Sequence, residues 1–339
     1  MVIVNNYVLA VILCFVIMLC WGSWGNTQKL AAKSWRYELF YWDYVIGMVL
    51  FALLLAFTLG SFGHDGEPFL QNIKGVSAAN WGWILLGGVI FNASNILLSA
   101  STSIAGMSVA FPLGVGLALV LGVANNYIVN HTGNPVLLAA GVALVVVAIV
   151  CNGIASGKKG GSDVGGAERR KGVVLALVAG VLMSFFSSFV MRGMGNVDAV
   201  ADAAKFAAPY ATPYTAAVIF TLGVLASNFL FNTVVMKKPF VGEPVSYSQY
   251  FAGSAGTHLV GMLGGAIWCL GTALSYITSK AAGPAVSYAL GQGAPMIAAI
   301  WGVFVWKEFK GSGKNVYALL GLMFLFFVAG LSLIVAAGA

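Results

Sequence analysis

The densest mixture of aromatic and hydrogen-bonding side chains lies in residues 19–47, LCWGSWGNTQKLAAKSWRYELFYWDYVIG. Trp21, Trp24, Tyr41, Trp42 and Tyr44 offer flat apolar faces, while Ser23, Asn26, Thr27 and Gln28 offer donors and acceptors. A carbohydrate or nucleobase site needs that pairing of a stacking surface with a few placed polar groups. Trp and Tyr also collect at membrane boundaries, and for Tyr41 that interfacial reading is preferred. Asp43 opens the apolar run VIGMVLFALLLAF and is the ionisable group best placed inside a span. A carboxylate near hydrocarbon turns to the bundle interior and can there exchange protons, so Asp43 is the expected proton-coupling residue. The competing reading is a carboxylate at a helix start in the headgroup region, stabilised by the helix dipole.

Two further segments carry polar groups at helical spacing. Asn92, Asn95 and Ser99 recur at intervals of three and four, so one helical face holds them, and the pair of amides points to a water-filled cavity. The matching segment of the second half contains Trp268, Thr272, Ser275 and Tyr276. In YALGQGAP, residues 288–295, Tyr288 and Gln292 are four apart and share a face beside Gly and Pro, which loosen a helix where it lines a cavity. The expected ligand contacts are therefore Trp21, Trp24, Asn26, Trp42, Asn92, Asn95, Trp268, Tyr276, Tyr288 and Gln292. No enzyme is expected: His64, His131 and His258 are scattered, and neither H-E-x-x-H nor G-x-S-x-G occurs. No cofactor or metal site is expected either, since Cys14, Cys20, Cys151 and Cys269 lie in apolar runs without C-x-x-C spacing.

The elements that position these residues follow from composition. The chain has 339 residues, 60% hydrophobic and only 8% charged, against about 25% charged in soluble domains. It reads as an all-α membrane protein, because runs such as 142–150, VALVVVAIV, lack the alternation of a membrane barrel. Ten spans are expected, near 5–26, 40–60, 80–101, 106–128, 135–155, 172–193, 212–236, 255–279, 284–306 and 316–337. The first is read as a retained span rather than a signal peptide, since MVIVNNY carries no basic start or cleavage pattern. The Gly-rich basic stretch 157–171 reads as a cytoplasmic linker between repeats 1–156 and 172–339.

The net charge of +7 reflects loops facing a cytoplasm rather than a nucleic-acid partner. Alternate loops hold most of the Lys and Arg, leaving only Lys74, Arg192, Lys205 and Lys280 on the other side, so both termini are expected outside. At an offset of 177 residues, Gly87, Gly88, Gly106, Leu113, Gly114 and Gly116 align with Gly264, Gly265, Gly283, Leu290, Gly291 and Gly293. The matching spans run in opposite directions, which describes two inverted five-helix repeats, a building plan of secondary transporters.

Ten spans in two repeated halves resemble the drug/metabolite transporter superfamily over essentially the whole chain. FVWKEFKG, 304–311, is similar to the end of that superfamily's ninth span. WGSWGNTQK followed by YWDY resembles the glucose/ribose porter, rhamnose transporter and ureide permease branches. The ureide permeases share the aromatic-Asp-Tyr opening of span 2 but carry a longer central loop with a phosphate-binding-like motif, which is missing here. The resemblance implies a cavity between the halves and proton-coupled uptake of a small polar metabolite. The expectation drawn from it is import of a monosaccharide, with ribose as the example, by alternating access across the inner membrane. A ureide or purine-derivative permease is the alternative, and an exporter of the same fold stands third. The expected partners are the metabolite, a proton and the lipid bilayer.

Overall fold

Polar N-caps set the starts of the long helices. Asn6 accepts from Leu9 N, Ser77 from Asn80 N, Asn134 from Val136 N and Leu137 N, and Thr212 from Thr215 N. Each satisfies backbone donors that the first helical turn leaves open, and Pro135 and Pro213 occupy first-turn positions where no donor is needed. The computed structural model describes residues 1–130, 134–158, 166–195, 206–278, 281 and 293–338, with 125–130 and 338 described by backbone alone.

The helices, in chain order, are α1 (Tyr7–Ser23), α2 (Gly25–Ala31), α3 (Tyr37–Phe57), α4 (Phe69–Gly75), α5 (Ala78–Ala105), α6 (Met107–Asn130) and α7 (Pro135–Gly157). They continue as α8 (Gly166–Gly193), α9 (Pro213–Lys237), α10 (Tyr247–Phe251), α11 (Ala255–Thr278), α12 (Ala294–Ile300), extended by a wide turn at Trp301–Val305, and α13 (Lys314–Gly338). Among the described residues there is no strand. Nine helical segments there are long and apolar enough to cross a membrane, with α1 and α2 counted as one. The ninth expected span, 284–306, is described only from Gly293, so its first part lies outside the described residues. Helix α8 begins at Gly166, inside the stretch expected as a linker, because Ala167 to Lys171 are good helix formers.

Helix α5 packs on α8 and α9, α11 on α1 and α3, α6 on α8, α12 on α1, α3 on α9, and α7 on α13. Large apolar side chains left outside this packing, such as Phe15 on α1, Leu230 on α9 and Leu325 on α13, suit a hydrocarbon surround. Several crossings depend on glycine, among them α3–α11 and α5–α9. A Cβ on Gly265 of α11 would overlap the Tyr44 carbonyl of α3, and one on Gly88 of α5 would overlap the Phe220 carbonyl of α9. Absence of a side chain lets these backbones touch, the usual basis of helix association where lipid removes the hydrophobic drive.

The helix ends sort into two poles. One gathers Lys29, Arg36, Lys171 and Glu308, the basic loops of the chain. The other gathers Met1, whose amino group donates to Asp65 O at 2.8 Å, and Ala337, whose carbonyl accepts from Asn134 N. Both ends of the chain thus lie opposite the basic loops.

Candidate functional site

At the bundle centre α3 and α5 face each other through hydroxyls and amides. The Tyr41 hydroxyl donates to Asn92 Oδ1 at 3.0 Å and accepts from Asn95 Nδ2 at 3.3 Å. Asn92 Nδ2 donates on to Ser227 Oγ of α9 at 3.0 Å. Tyr41, Asn92 and Asn95 are all fully buried. The Tyr44 hydroxyl lies beside Asn95 without closing a hydrogen bond of ordinary geometry, so it and Asn95 Oδ1 are buried polar atoms left open. A buried acceptor without a partner costs about 1–3 kcal/mol.

Aromatic rings wall this network. Trp24 packs on Tyr44 at 4.8 Å between centroids and on Phe111 at 5.7 Å. Trp268 lies 4.2 Å from Phe91, stacks on Phe220 at 5.8 Å and meets Trp21 at 6.5 Å. Trp21 Nε1 donates to Thr272 Oγ1 at 3.2 Å, joining α1 to α11. Tyr276 is buried one turn beyond Thr272 on α11.

Of the expected contacts, the structure therefore gathers Trp21, Trp24, Asn92, Asn95 and Trp268 at the centre. Asn26 stands nearer the basic pole, where its side chain donates to Ser23 O and accepts from Trp306 Nε1 at 2.6 Å. Trp42 turns to α9 and α10, with its ring against Phe229 and Tyr247 and its Nε1 donating to Met236 Sδ at 3.2 Å. Tyr288 and Gln292 lie outside the described residues. Tyr41, read as an interfacial belt residue, is instead wholly buried, and its hydroxyl bridges Asn92 and Asn95 of α5.

Asp43 occupies a second cluster on a different face of α3. Its Oδ1 accepts from the Tyr250 hydroxyl at 2.6 Å and lies 2.8 Å from His258 Nδ1. The indole of Trp35 closes the cluster, 5.3 Å from the His258 ring and 6.1 Å from the Tyr250 ring, and Gly261 leaves room for the carboxylate. Asp43 Oδ2 is buried and without a hydrogen bond. Burial first, and then the hydrogen bond and charge of Asp43, push the Tyr250 phenol up, which holds it as a donor. Neither His258 nor Tyr250 was singled out by the sequence. The signal was available only as a requirement, since a carboxylate inside an apolar run needs a partner.

A third set ties the basic pole. Glu308 receives Met107 N at 3.1 Å and Ser108 N at 2.9 Å, capping α6 from across the bundle, and pairs with Lys29 and the Ser108 hydroxyl. Burial alone would raise the Glu308 pKa, but the Lys29 charge and these hydrogen bonds outweigh it and hold the carboxyl below its ordinary value. Trp301 Nε1 donates to Ser23 Oγ at 2.9 Å, so the segment after α12 grips the α1–α2 break.

Membrane-length helices around a buried, aromatic-walled polar network describe a multi-pass membrane protein. The ureide permease family matches residues 40–163 and 157–337, and the chain belongs to that family. Members of this family are transporters rather than enzymes. Ureide permease 1 of Arabidopsis thaliana is 23% identical over 385 aligned residues covering 96% of each chain. Ureide permease 5 of the same plant is 23% identical over 389, covering 96% of this chain and 93% of its own. A probable ureide permease A3 of Vigna unguiculata is 27% identical over 146, covering 41% and 39%. A solved crystal structure with TM-score 0.55 and 14% identity, covering 96% of this chain and 99% of that one, shares the fold.

These relatives overturn the expectation of sugar import and favour the ureide alternative. The physical reason for the error is that stacked rings with amides and hydroxyls suit a sugar and a planar urea derivative alike.

Proposed function

We propose that this protein is a permease for a neutral ureide or purine derivative, working by alternating access of two halves of inverted topology. One observation carries the substrate class: the match to the ureide permease family over residues 40–163 and 157–337, with which the Tyr41–Asn92–Asn95 network agrees, since it leaves an amide carbonyl and the Tyr44 hydroxyl open between aromatic rings. A ureide presents N–H and C=O groups in one plane, so its N–H completes Asn95 Oδ1 and its carbonyl accepts from Tyr44. Trp24, Trp21 and Trp268 supply the flat walls. The arrangement of halves is supported by the packing itself. Exchanging the helices of residues 1–156 for those of 172–339 turns the α5–α8 contact into α11–α1 and the α5–α9 contact into α11–α3. The glycine contacts at Gly88 and Gly265 exchange in the same way.

Asp43 is the proton carrier in this reading, with Tyr250 and His258 as the groups that hold it. The basic pole faces the cytoplasm and both chain ends face outside. Uptake by proteoliposomes of labelled allantoin, uracil and ribose, with and without an inward proton gradient, tests the reading. Allantoin or uracil uptake that rises with the gradient, and that excess ribose leaves unchanged, is expected. Uptake of ribose alone would defeat it.

A further inference from the structure

A cavity of about 290 Å³ opens at the basic pole, between α2, the start of α3 and the end of α5. Its lining includes Gln28, Trp35, Tyr37, Thr102 and Ser103. Ligand pockets run from about 300 Å³ upward for drug-sized molecules, so this one suits something smaller.

The boundary between cavity and buried network is a reciprocal pair. Gln28 Nε2 donates to Ser99 O at 2.8 Å, and Ser99 Oγ donates to Gln28 Oε1 at 2.8 Å. Ser99 stands one turn from Asn95 and one turn from Thr102 and Ser103, so a polar stripe of α5 runs from the network to the cavity. A carboxamide has two donors and two lone pairs, so Gln28 keeps one of each beyond its bonds to Ser99. Its one N–H/C=O edge is the edge Ser99 holds, and that edge is the complement of a planar N–H and C=O pair.

Charge and shape narrow the ligand. The two cations in the lining are already engaged, Lys29 with Glu308 and Arg36 with Glu38 and the Val241 carbonyl, and Glu168 adds a negative charge to the rim. An anion therefore finds little excess positive charge. Trp35 and Tyr37 provide aromatic edges for a flat molecule. Trp35 also forms a wall of the Asp43 cluster, so occupancy of the cavity touches the group that neighbours the carboxylate.

We propose that this cavity is a second substrate station for a small, neutral, planar molecule with an N–H/C=O edge, and that Gln28 reads that edge by exchanging Ser99 for the substrate. The proposal rests on the ureide reading above and adds a site to it. Gln28 thereby sets both the specificity of the station and passage toward Asn95.

Ser103 is exposed and tolerates a reporter, and the four native cysteines are buried. Allantoin uptake is first shown for the parent protein, and the Ser103→Cys protein is then labelled with a maleimide in vesicles with the basic pole exposed. Allantoin at about ten times its Kd slows labelling roughly tenfold by occupancy. The same protection is expected in a Ser103→Cys/Asn95→Ala protein, and Gln28→Met removes it in a protein that still unfolds in one cooperative thermal transition, with a lowered midpoint from the two bonds lost to Ser99. Unchanged labelling rates overturn the second station. Protection that disappears with Asn95→Ala also overturns it, since the effect then arises from the central network. Absence of allantoin uptake at the first step instead defeats the ureide reading, and the station falls with it.

Discussion

Replacing Tyr41 by Phe removes one oxygen and keeps the ring. That oxygen serves two amides, donating to Asn92 Oδ1 and accepting from Asn95 Nδ2. Asn92 Oδ1 and Asn95 Nδ2 then lose their Tyr41 bonds in a fully buried layer, each at about 1–3 kcal/mol. The two side chains can turn toward one another and recover part, which leaves a cost of about 2 kcal/mol, on the order of thirty-fold in an equilibrium constant. If Asn95 is a ligand contact, the free amide now wanders and its reordering is met on binding. Tyr41→Phe should therefore raise the KM for allantoin uptake by roughly ten- to thirty-fold, with a smaller change in the maximal rate. The assay is initial-rate uptake over a concentration series, with the thermal midpoint of the purified protein recorded beside it. A KM within about twofold of the parent would refute the reasoning, since it would place the network outside the binding site.

Asp43→Asn should abolish stimulation by an inward proton gradient while leaving exchange of internal for external substrate, which needs no net proton movement; gradient-stimulated uptake of parental size would remove Asp43 from coupling. Gly265→Ala pushes a methyl group into the Tyr44 carbonyl, and overpacking of this kind costs about 1–3 kcal/mol, so a lower thermal midpoint is expected and an unchanged one would count against the α3–α11 contact. Glu308, held below its ordinary pKa of 4.5, contributes stability that is full above that value and fades as pH falls through the depressed one. Thermal midpoints measured from neutral pH down into that acid range should converge for the parent and Glu308→Gln, with the parent higher at neutral pH; parallel curves would contradict the Lys29–Glu308 pairing.

Nine of the ten expected spans meet membrane-length helices among the described residues, because a span needs only length and apolar composition, and Asn6, Ser77, Asn134 and Thr212 cap four of their starts. Asn92 and Asn95 were legible as a polar face of one helix. Tyr41 was not, because spacing on α3 does not say which face meets α5, and an aromatic residue near a span end equally suits an interface. His258 was passed over because its partner Asp43 is 215 residues away, and the association exists only once α11 packs on α3. Trp42 and Asp43 are neighbours in sequence yet only partly share surroundings, Trp42 facing α9 and α10 and Asp43 facing α10 and α11. The substrate class was beyond residue types alone, since rings, amides and hydroxyls carry no label that separates a sugar from a ureide.

Equilibrium binding of labelled allantoin to the purified protein, with Asn95→Ala and Asn95→Asp alongside and ribose as competitor, addresses the substrate and its site together. Saturable binding that ribose does not displace, and that both substitutions weaken at least tenfold, is the expected result. Binding of equal strength in all three proteins, or displacement by ribose, would contradict a ureide held by the Tyr41–Asn92–Asn95 network.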